Sequence, residues 1–274
     1  RNVYMFGKVS FIGAGSMAES IIAGLLNKKI INKEHIYVTN KDNHDRLKNL
    51  QTRFNIYGTK DKEEVIQNAD VIILSTKPYD VKEAVQSIKS YVQPDQLIIS
   101  VIAGVTTESI TNLFGENVPV IRAMPNTSAT IGQSATAVTK GKYATEEHLQ
   151  KAIKLFNAIG TATTVEEKDM HIVTGISGSG PAYIYYLVEA MQQAAKESGL
   201  DEHIAKELIT QTVVGVGEML KEVDEPVEVL RKNITSPNGT TEAGIRTLEK
   251  HNFYNTVIAC VNSARDRSIE LGKE

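Results

Sequence analysis

The chain has one cysteine, Cys260, among 274 residues. A disulfide within the chain is therefore excluded, and so is a multi-cysteine zinc site. Such cysteine poverty fits a reducing compartment, and a cytoplasmic location is expected. No apolar run approaches the roughly 18 residues that would suggest a transmembrane helix. Blocks of like charge are missing too. Lys plus Arg is 30, Asp plus Glu is 33, and the formal net charge is -3. That argues against a strongly basic nucleic-acid binder and against a polybasic membrane anchor. There is no G-x-S-x-G elbow, no H-E-x-x-H helix and no P-loop. The six histidines, His35, His44, His148, His171, His203 and His251, are scattered. None pairs with another at ligand spacing, so each is read as a surface residue and no metal site is expected. The opening Arg1–Lys8 segment lacks the apolar core of a signal peptide. Met5 reads as the natural start, with residues 1–4 foreign to it. The Asn-x-Ser/Thr triplets at Asn126, Asn233 and Asn238 are read as chance, since no secretion signal accompanies them.

What is present is ordinary globular composition, with 41% hydrophobic and 23% charged residues. The length suits one large domain or two modest ones. The first half alternates. Strands are expected at Val9–Ile12, His35–Thr39, Val71–Ser75, Leu97–Ile102, Val118–Arg122, Ala135–Val138 and Ala162–Val165. Helices are expected at Ser16–Asn27, Lys62–Asn68 and Thr145–Ala158. Near-continuous apolar strands alternating with helices predict a parallel sheet covered on both faces. After about Glu166 the strand signal stops. Helices are expected over Ala182–Ser198, ended by Gly199, and from an Asp201 cap to about Val223. Pro226 opens a short helix, and two more start near Thr240 and Phe253. The fold class is α/β, with an N-terminal Rossmann-type parallel-sheet domain over 1–164 and an all-α domain over 165–274. Gly215 and Gly217 interrupt the long second helix of that half, at roughly 1 kcal/mol each relative to alanine. Close helix–helix approach would compensate. The wide apolar faces favour an oligomer interface over a self-contained bundle.

Gly13-Ala14-Gly15-Ser16-Met17-Ala18 fits G-x-G-x-x-A between a strand and a helix. Gly13 makes the tight turn, Gly15 lets a pyrophosphate approach the backbone, and Ala18 permits close helix–strand packing. The helix start then offers free N–H groups and a positive dipole end. The second strand ends Val38-Thr39-Asn40-Lys41. An acidic tip would bind a ribose 2′-OH and repel a 2′-phosphate. This tip is neutral and then cationic, so NADP(H) is preferred over NAD(H), which stays admissible. Asp42 works against that preference. Two more loops follow strand ends, Ser75-Thr76-Lys77-Pro78 and Ala103-Gly104-Val105. Asn126, in the Arg122–Thr127 segment, either bonds a ligand or caps its own turn.

Two segments of the second half stand out. Gly175 to Tyr183 is glycine-rich and is either another phosphate loop or a break between helices; no strand precedes it, which favours the break. Asn233 to Gly244 gathers hydroxyls, an amide and backbone N–H groups just before a helix. That is a cradle for a small carboxylate, or else a hydroxyl-rich cap. No acidic pair stands out, so the hydride acceptor needs little acid–base help. A protonated imine meets that description.

Taken in order, Phe11–Ala18, Thr76-Lys77-Pro78, Ala103-Gly104-Val105, Arg122–Thr127, Thr174–Tyr183 and Thr235–Ala243 resemble the pyrroline-5-carboxylate reductase family. The last two segments are the specific ones. The resemblance implies NADPH-dependent reduction of 1-pyrroline-5-carboxylate to L-proline, by hydride transfer to C5 of the cyclic imine. It implies an active site formed by one chain's nucleotide domain and helices of a homodimer, with rings of dimers known among such enzymes. It implies that Ser236 and the N–H groups of Gly239, Thr240 and Thr241 hold the substrate carboxylate. The Thr241 hydroxyl would face the ring nitrogen as the catalytic hydrogen-bond partner. Ile12, Gly13, Ala14, Gly15, Ser16, Met17, Asn40, Lys41, Asp61, Thr76, Lys77, Pro78, Ala103 and Asn233 would line the dinucleotide. Asn238 stands where many members have glycine, and asparagine tolerates positive φ. Two rival readings fit less well. A hydroxyacid dehydrogenase of similar build would need a helical lysine, and Ser177–Tyr186 has none. A non-catalytic NADP sensor would not need the Ser236–Thr241 cradle.

Overall fold

The computed structural model describes residues 6–115 and 117–273. The expected start at Met5 lies outside the described residues. The elements run β1 (Lys8–Ile12), α1 (Ser16–Asn27), β2 (Ile36–Thr39), α2 (His44–Phe54), β3 (Tyr57–Gly58), α3 (Lys62–Ile66), β4 (Ala69–Leu74), α4 (Val81–Ile88), β5 (Leu97–Ser100), α5 (Thr107–Phe114), β6 (Val120–Met124), β7 (Ser134–Lys140), α6 (Glu146–Asn157), β8 (Gly160–Thr164) and α7 (Met170–Val173). A π-helical turn, Thr174–Gly178, leads into α8 (Gly180–Glu197), then α9 (Glu202–Glu222), α10 (Val227–Asn233), α11 (Thr240–Lys250) and α12 (Phe253–Leu271).

The eight strands form one sheet in the order β3-β2-β1-β4-β5-β6-β7-β8. Side chains alternate across it as a strand's period of two requires. Val71 and Ile73 of β4 enter one core with α1 and α6, while Ile72 and Leu74 enter another with α3, α4 and α5. The expected double cover is therefore present. The all-parallel expectation needs one correction, since β6 and β7 pair antiparallel. Only nine residues separate Met124 from Ser134, too short a link for a parallel crossover and ample for a reversal. The apolar pattern gives no sign of α2, because only Leu47 and Leu50 of its eleven residues are buried. The strand expected from Val118 begins instead at Val120, after Pro119, which has no N–H to give a ladder.

By packing, the chain divides into two compact units. The first reaches Ser179 and takes in the chain again from Asn262; the second is Gly180–Val261. Strands stop at Thr164, yet α7 stays with the sheet because Met170 is fully buried with Met124 and Ala137. In the second unit α8 and α9 pack on each other. Asp201 caps α9 as expected, its Oδ1 accepting from the N–H groups of His203 (2.9 Å) and Ile204 (3.2 Å). Pro226 sits one residue before its helix, at the cap position. Little apolar surface is covered here: α8, α10 and α11 bury no residue, and α9 only Ala205 and Ile209. A Cβ at Gly215 or Gly217 would meet nothing within 4 Å, so among the described residues the close approach expected of them is not made. Among the described residues no helix is long and apolar enough to cross a membrane.

Candidate active site

The nucleotide half of the site is set by register. Ile12 pairs with Thr39 on one side and Leu74 on the other, and Leu74 pairs with Ser100. The next residues, Gly13, Asn40, Ser75 and Val101, therefore leave the sheet along one carboxyl edge. Backbone bonds prolong the ladders there, from Gly13 N to Thr39 O (2.9 Å), Ser75 N to Ile12 O (2.9 Å) and Val101 N to Leu74 O (3.0 Å). Strand order reverses between β2-β1 and β4, and ligands of open α/β sheets bind at that switch point. Thus Ile12 to Met17, Asn40, Lys41, Asp61, Thr76, Lys77, Pro78 and Ala103 share one edge of the first unit. Asn233 belongs to the second unit, exposed in the last residue of α10.

The loop itself has the shape a dinucleotide needs. Gly13 has φ +114, and a Cβ there would sit 2.5 Å from Ser75 O. Only glycine fits that turn. Above Gly15 a Cβ would meet nothing within 4 Å, so the space a pyrophosphate requires is open. α1 starts on Gly15 with no capping side chain, whereas Asn43, Asp61, Thr106, Thr145 and Asp201 cap α2, α3, α5, α6 and α9. Its first N–H groups await an acceptor. Asn40 Oδ1 and Thr76 Oγ1 are buried polar atoms without a partner, and both stand at this edge. Buried polar groups are normally paired, so a bound dinucleotide fits the residues present.

The β2 tip is more cationic than its sequence suggests. Lys41 Nζ pairs with Glu83 at 2.5 Å and lies 3.9 Å from Asp80. The hydrogen bond to Glu83 raises its pKa. Lys60 Nζ donates to Lys41 O at 2.6 Å. Lys62, half-buried, donates to Thr39 Oγ1 at 2.8 Å. Burial pushes the Lys62 pKa down, and Lys60 adds to that. Three ammonium groups thus surround one strand tip, with carboxylates holding Lys41. An anion there would relieve Lys62.

The second-unit cradle is a turn before α11. Ser236 O accepts from Gly239 N–H at 3.0 Å. Asn238 takes φ +60, the left-handed conformation its place demands, and its N–H donates to Glu242 Oε2 at 2.7 Å. Glu242 Oε1 in turn pairs with Arg246 at 3.0 Å. α11 starts on Gly239 with no capping side chain, and its first backbone bond runs from Ala243 N to Gly239 O (3.2 Å). Gly239 spends its N–H inside the turn, so the open donors are those of Thr240, Thr241 and Glu242. Ser236 and Thr240 are exposed and Thr241 half-buried.

Similarity decides the family. A family model described as pyrroline-5-carboxylate reductase dimerisation matches residues 167–271. One described as NADP oxidoreductase, coenzyme F420-dependent, matches residues 8–104. Pyrroline-5-carboxylate reductase 2 of Bacillus subtilis is 46% identical, over 97% of this chain and 96% of that protein. The chain belongs to the pyrroline-5-carboxylate reductase family. Among solved structures, the Plasmodium falciparum pyrroline carboxylate reductase with NADP bound has a TM-score of 0.89 at 31% identity, covering 98% of this chain and 99% of that one. The Coxiella burnetii enzyme has a TM-score of 0.85 at 34% identity, covering 98% and 100%. The family's dimerisation segment is the region that leaves its apolar residues uncovered here.

Other residues of this reductase fold answer questions the sequence left open. Asn126 caps its turn, with Oδ1 accepting from Ser128 N–H (3.0 Å) and Nδ2 donating to Ser177 O (3.1 Å). The Gly175 region is a π-helical turn that continues α7, and a bend at Ser179 breaks it from α8, in keeping with the favoured reading. Two histidines are more than surface groups: His148 closes a capping box with Thr145, and His171 Nδ1 bonds Ser268 Oγ at 3.0 Å. Three supports gave no sequence signal. Arg46 of α2 donates to Ala14 O at 2.8 Å, bracing the glycine-rich loop, and also pairs with Glu19. Lys62 carries no periodic or motif cue. Arg122, fully buried in β6, pairs with Glu167 at 2.7 Å, and Thr107 Oγ1 donates to the same carboxylate at 2.8 Å.

Proposed function

We propose that this protein reduces 1-pyrroline-5-carboxylate to L-proline, taking hydride from NADPH in preference to NADH. The observation that carries the reading is the pair of helices, α1 and α11, that open on glycines without capping side chains. Each presents N–H groups and a positive dipole end to an anion. The first suits a pyrophosphate and the second a small carboxylate.

Bound NADPH supplies the hydride. The chain's own residues supply position and charge. Gly13 to Met17 receive the pyrophosphate, the Thr76 hydroxyl donates to the dinucleotide, Asn40 Oδ1 accepts from a ribose hydroxyl, and Lys41 and Lys62 hold the 2′-phosphate. Pro78 and Ala103 border the nicotinamide side, and Asn233 completes the set. Ser236 and the Thr240 and Thr241 N–H groups hold the imine's carboxylate, with Gly239 shaping their turn. The Thr241 hydroxyl faces the ring nitrogen, which carries the proton as C5 accepts hydride. Orientation is the main source of rate. Assembly is as a homodimer through the helical segment 165–274, and a ring of such dimers is the larger form to be sought by mass. We place the enzyme in the cytoplasm, as its single cysteine suits a reducing compartment.

Loss of reduced-nicotinamide absorbance with pyrroline-5-carboxylate, NADPH and NADH side by side, tests the reading. Turnover that is faster with NADPH is expected. Folded protein that binds NADPH yet turns over with neither cofactor would overturn it. Within that assay, Thr241→Ala should lower kcat about tenfold, the loss of one hydrogen bond worth ~1.4 kcal/mol, with NADPH affinity kept. An unchanged kcat would remove Thr241 from the mechanism.

A further inference from the structure

The loop after β5 is held in place from an unexpected quarter. Gly104 has φ +82, and a Cβ there would lie 2.6 Å from Ser268 O and 2.9 Å from Gly272 N. The contact is reciprocal, for a Cβ on Gly272 would lie 2.3 Å from Gly104 O and 3.2 Å from its carbonyl carbon. Two glycines thus pack main chain on main chain, with the Leu271 Cβ as the nearest side-chain atom, 2.9 Å from the Cβ position of Gly104. A second grip lies one turn back. Ser268 is 2% exposed, and its hydroxyl bonds His171 of α7 at 3.0 Å. All these residues belong to the first compact unit.

The end of α12 and Gly272 just after it therefore help fix where Gly104 stands, while Ala103 also packs on the Met124–Met170 cluster and Ile102 and Val105 are buried on either side. The ladder bond from Val101 to Leu74 leaves the loop beyond it to be placed by what it touches. A methyl group on Gly272 must move one backbone by about 1 Å, from 2.3 Å to ordinary contact near 3.4 Å. An error of that size near reacting groups can cost roughly a hundredfold.

We propose that Gly272 and Ser268 are positioning residues for the dinucleotide, acting through the Ala103–Gly104 loop. This rests on the reading above that Ala103 borders NADPH. Neither residue touches the cofactor in this account. Both set the loop that does.

The test uses the full chain with Gly272→Ala, Gly272→Val, Ser268→Ala and, as a control, Lys273→Ala. NADPH dissociation constants would be read by nucleotide fluorescence, together with both KM values, kcat and Tm. Gly272→Ala should raise the NADPH Kd and KM about tenfold and Gly272→Val further, a part of the hundredfold ceiling. The KM for the imine should stay within about twofold and Tm within a few degrees, as expected where only positioning is lost. Ser268→Ala should move NADPH affinity the same way by about threefold, the scale of one weak hydrogen bond, and serves if Gly272→Val does not fold. Lys273→Ala should match the wild type. Wild-type protein that binds NADPH, with Gly272→Val binding equally well, would overturn the proposal. So would variants that lower Tm and raise both KM values together, the mark of a general structural defect. Wild-type protein that fails to bind NADPH would instead take down the functional reading, and this inference with it.

Discussion

Helix α1 buries seven of its twelve residues, while α8, with eighteen, buries none. Both are apolar along one side. The difference is what each faces within the chain. α1 lies in the core of the sheet with Val9, Phe11 and Ile121. α8 and α9 leave Ile184, Tyr186, Leu208, Val216 and Met219 outside, at 48%, 77%, 58%, 56% and 50% exposure. A buried side chain of this kind is worth roughly 1.5–3 kcal/mol, so the second unit holds a large stabilisation in reserve. One region completes its core within the chain and the other leaves that to a second copy, as a dimerisation segment must. Stability of the first should follow chemistry inside it, and stability of the second should follow concentration.

The largest effect should come from breaking the second region's reserve. Val216→Asp places a carboxylate on the exposed face of α9, and should weaken association at least about a hundredfold, ~2.7 kcal/mol. Light scattering across a dilution series would show the loss of mass, and an unchanged mass at low concentration would take Val216 out of the interface. Next comes a change confined to the first region. Glu167→Gln leaves fully buried Arg122 without its counter-charge, and should cost about 3 kcal/mol. Urea midpoints should fall equally at high and low protein concentration. A concentration-dependent loss would blur the contrast between the two regions. Smaller still, Lys62→Ala should raise the KM for NADPH about tenfold, one charge-assisted contact, and leave NADH unaffected. Lys41→Ala should do less, because Glu83 already pairs with that ammonium. Equal effects on both cofactors would sink the 2′-phosphate role.

The smallest effect is a pH dependence. Burial first, and then Arg122, lower the His171 pKa, with Glu167 opposing. The folded state therefore binds the proton less readily than the unfolded chain, whose histidine titrates near roughly 6.5. Stability from this group is full above that pH, falls as pH drops towards the folded pKa, and then levels off. Unfolding curves of wild type and His171→Gln between those limits would show it; identical slopes would contradict it.

How far the sequence could be read depended on whether a signal was local. The bounds of α1 follow from Gly15 before it and the apolar spacing within it, and α11 and α12 begin at the expected residues. α2 escaped notice because a helix that buries two residues has almost no stripe. The strand-tip residues were legible because a glycine-rich turn after a strand is a compact motif. Lys62 was not, since its meaning lies in a strand tip 23 positions away. Arg122 with Glu167 and His171 with Ser268 span 45 and 97 positions. No periodicity links such pairs, and only the folded chain brings them together. The Gly104–Gly272 contact is of the same kind.

Cys260 stands exposed on α12, and it is the sole thiol of the chain. A maleimide dye or a nitroxide would therefore attach once per chain, with nothing to remove first. In a closed two-fold pair of identical chains, two such labels define a single distance. A ring of pairs would add further distances to the same spectrum. The chain thus carries its own ruler for counting neighbours.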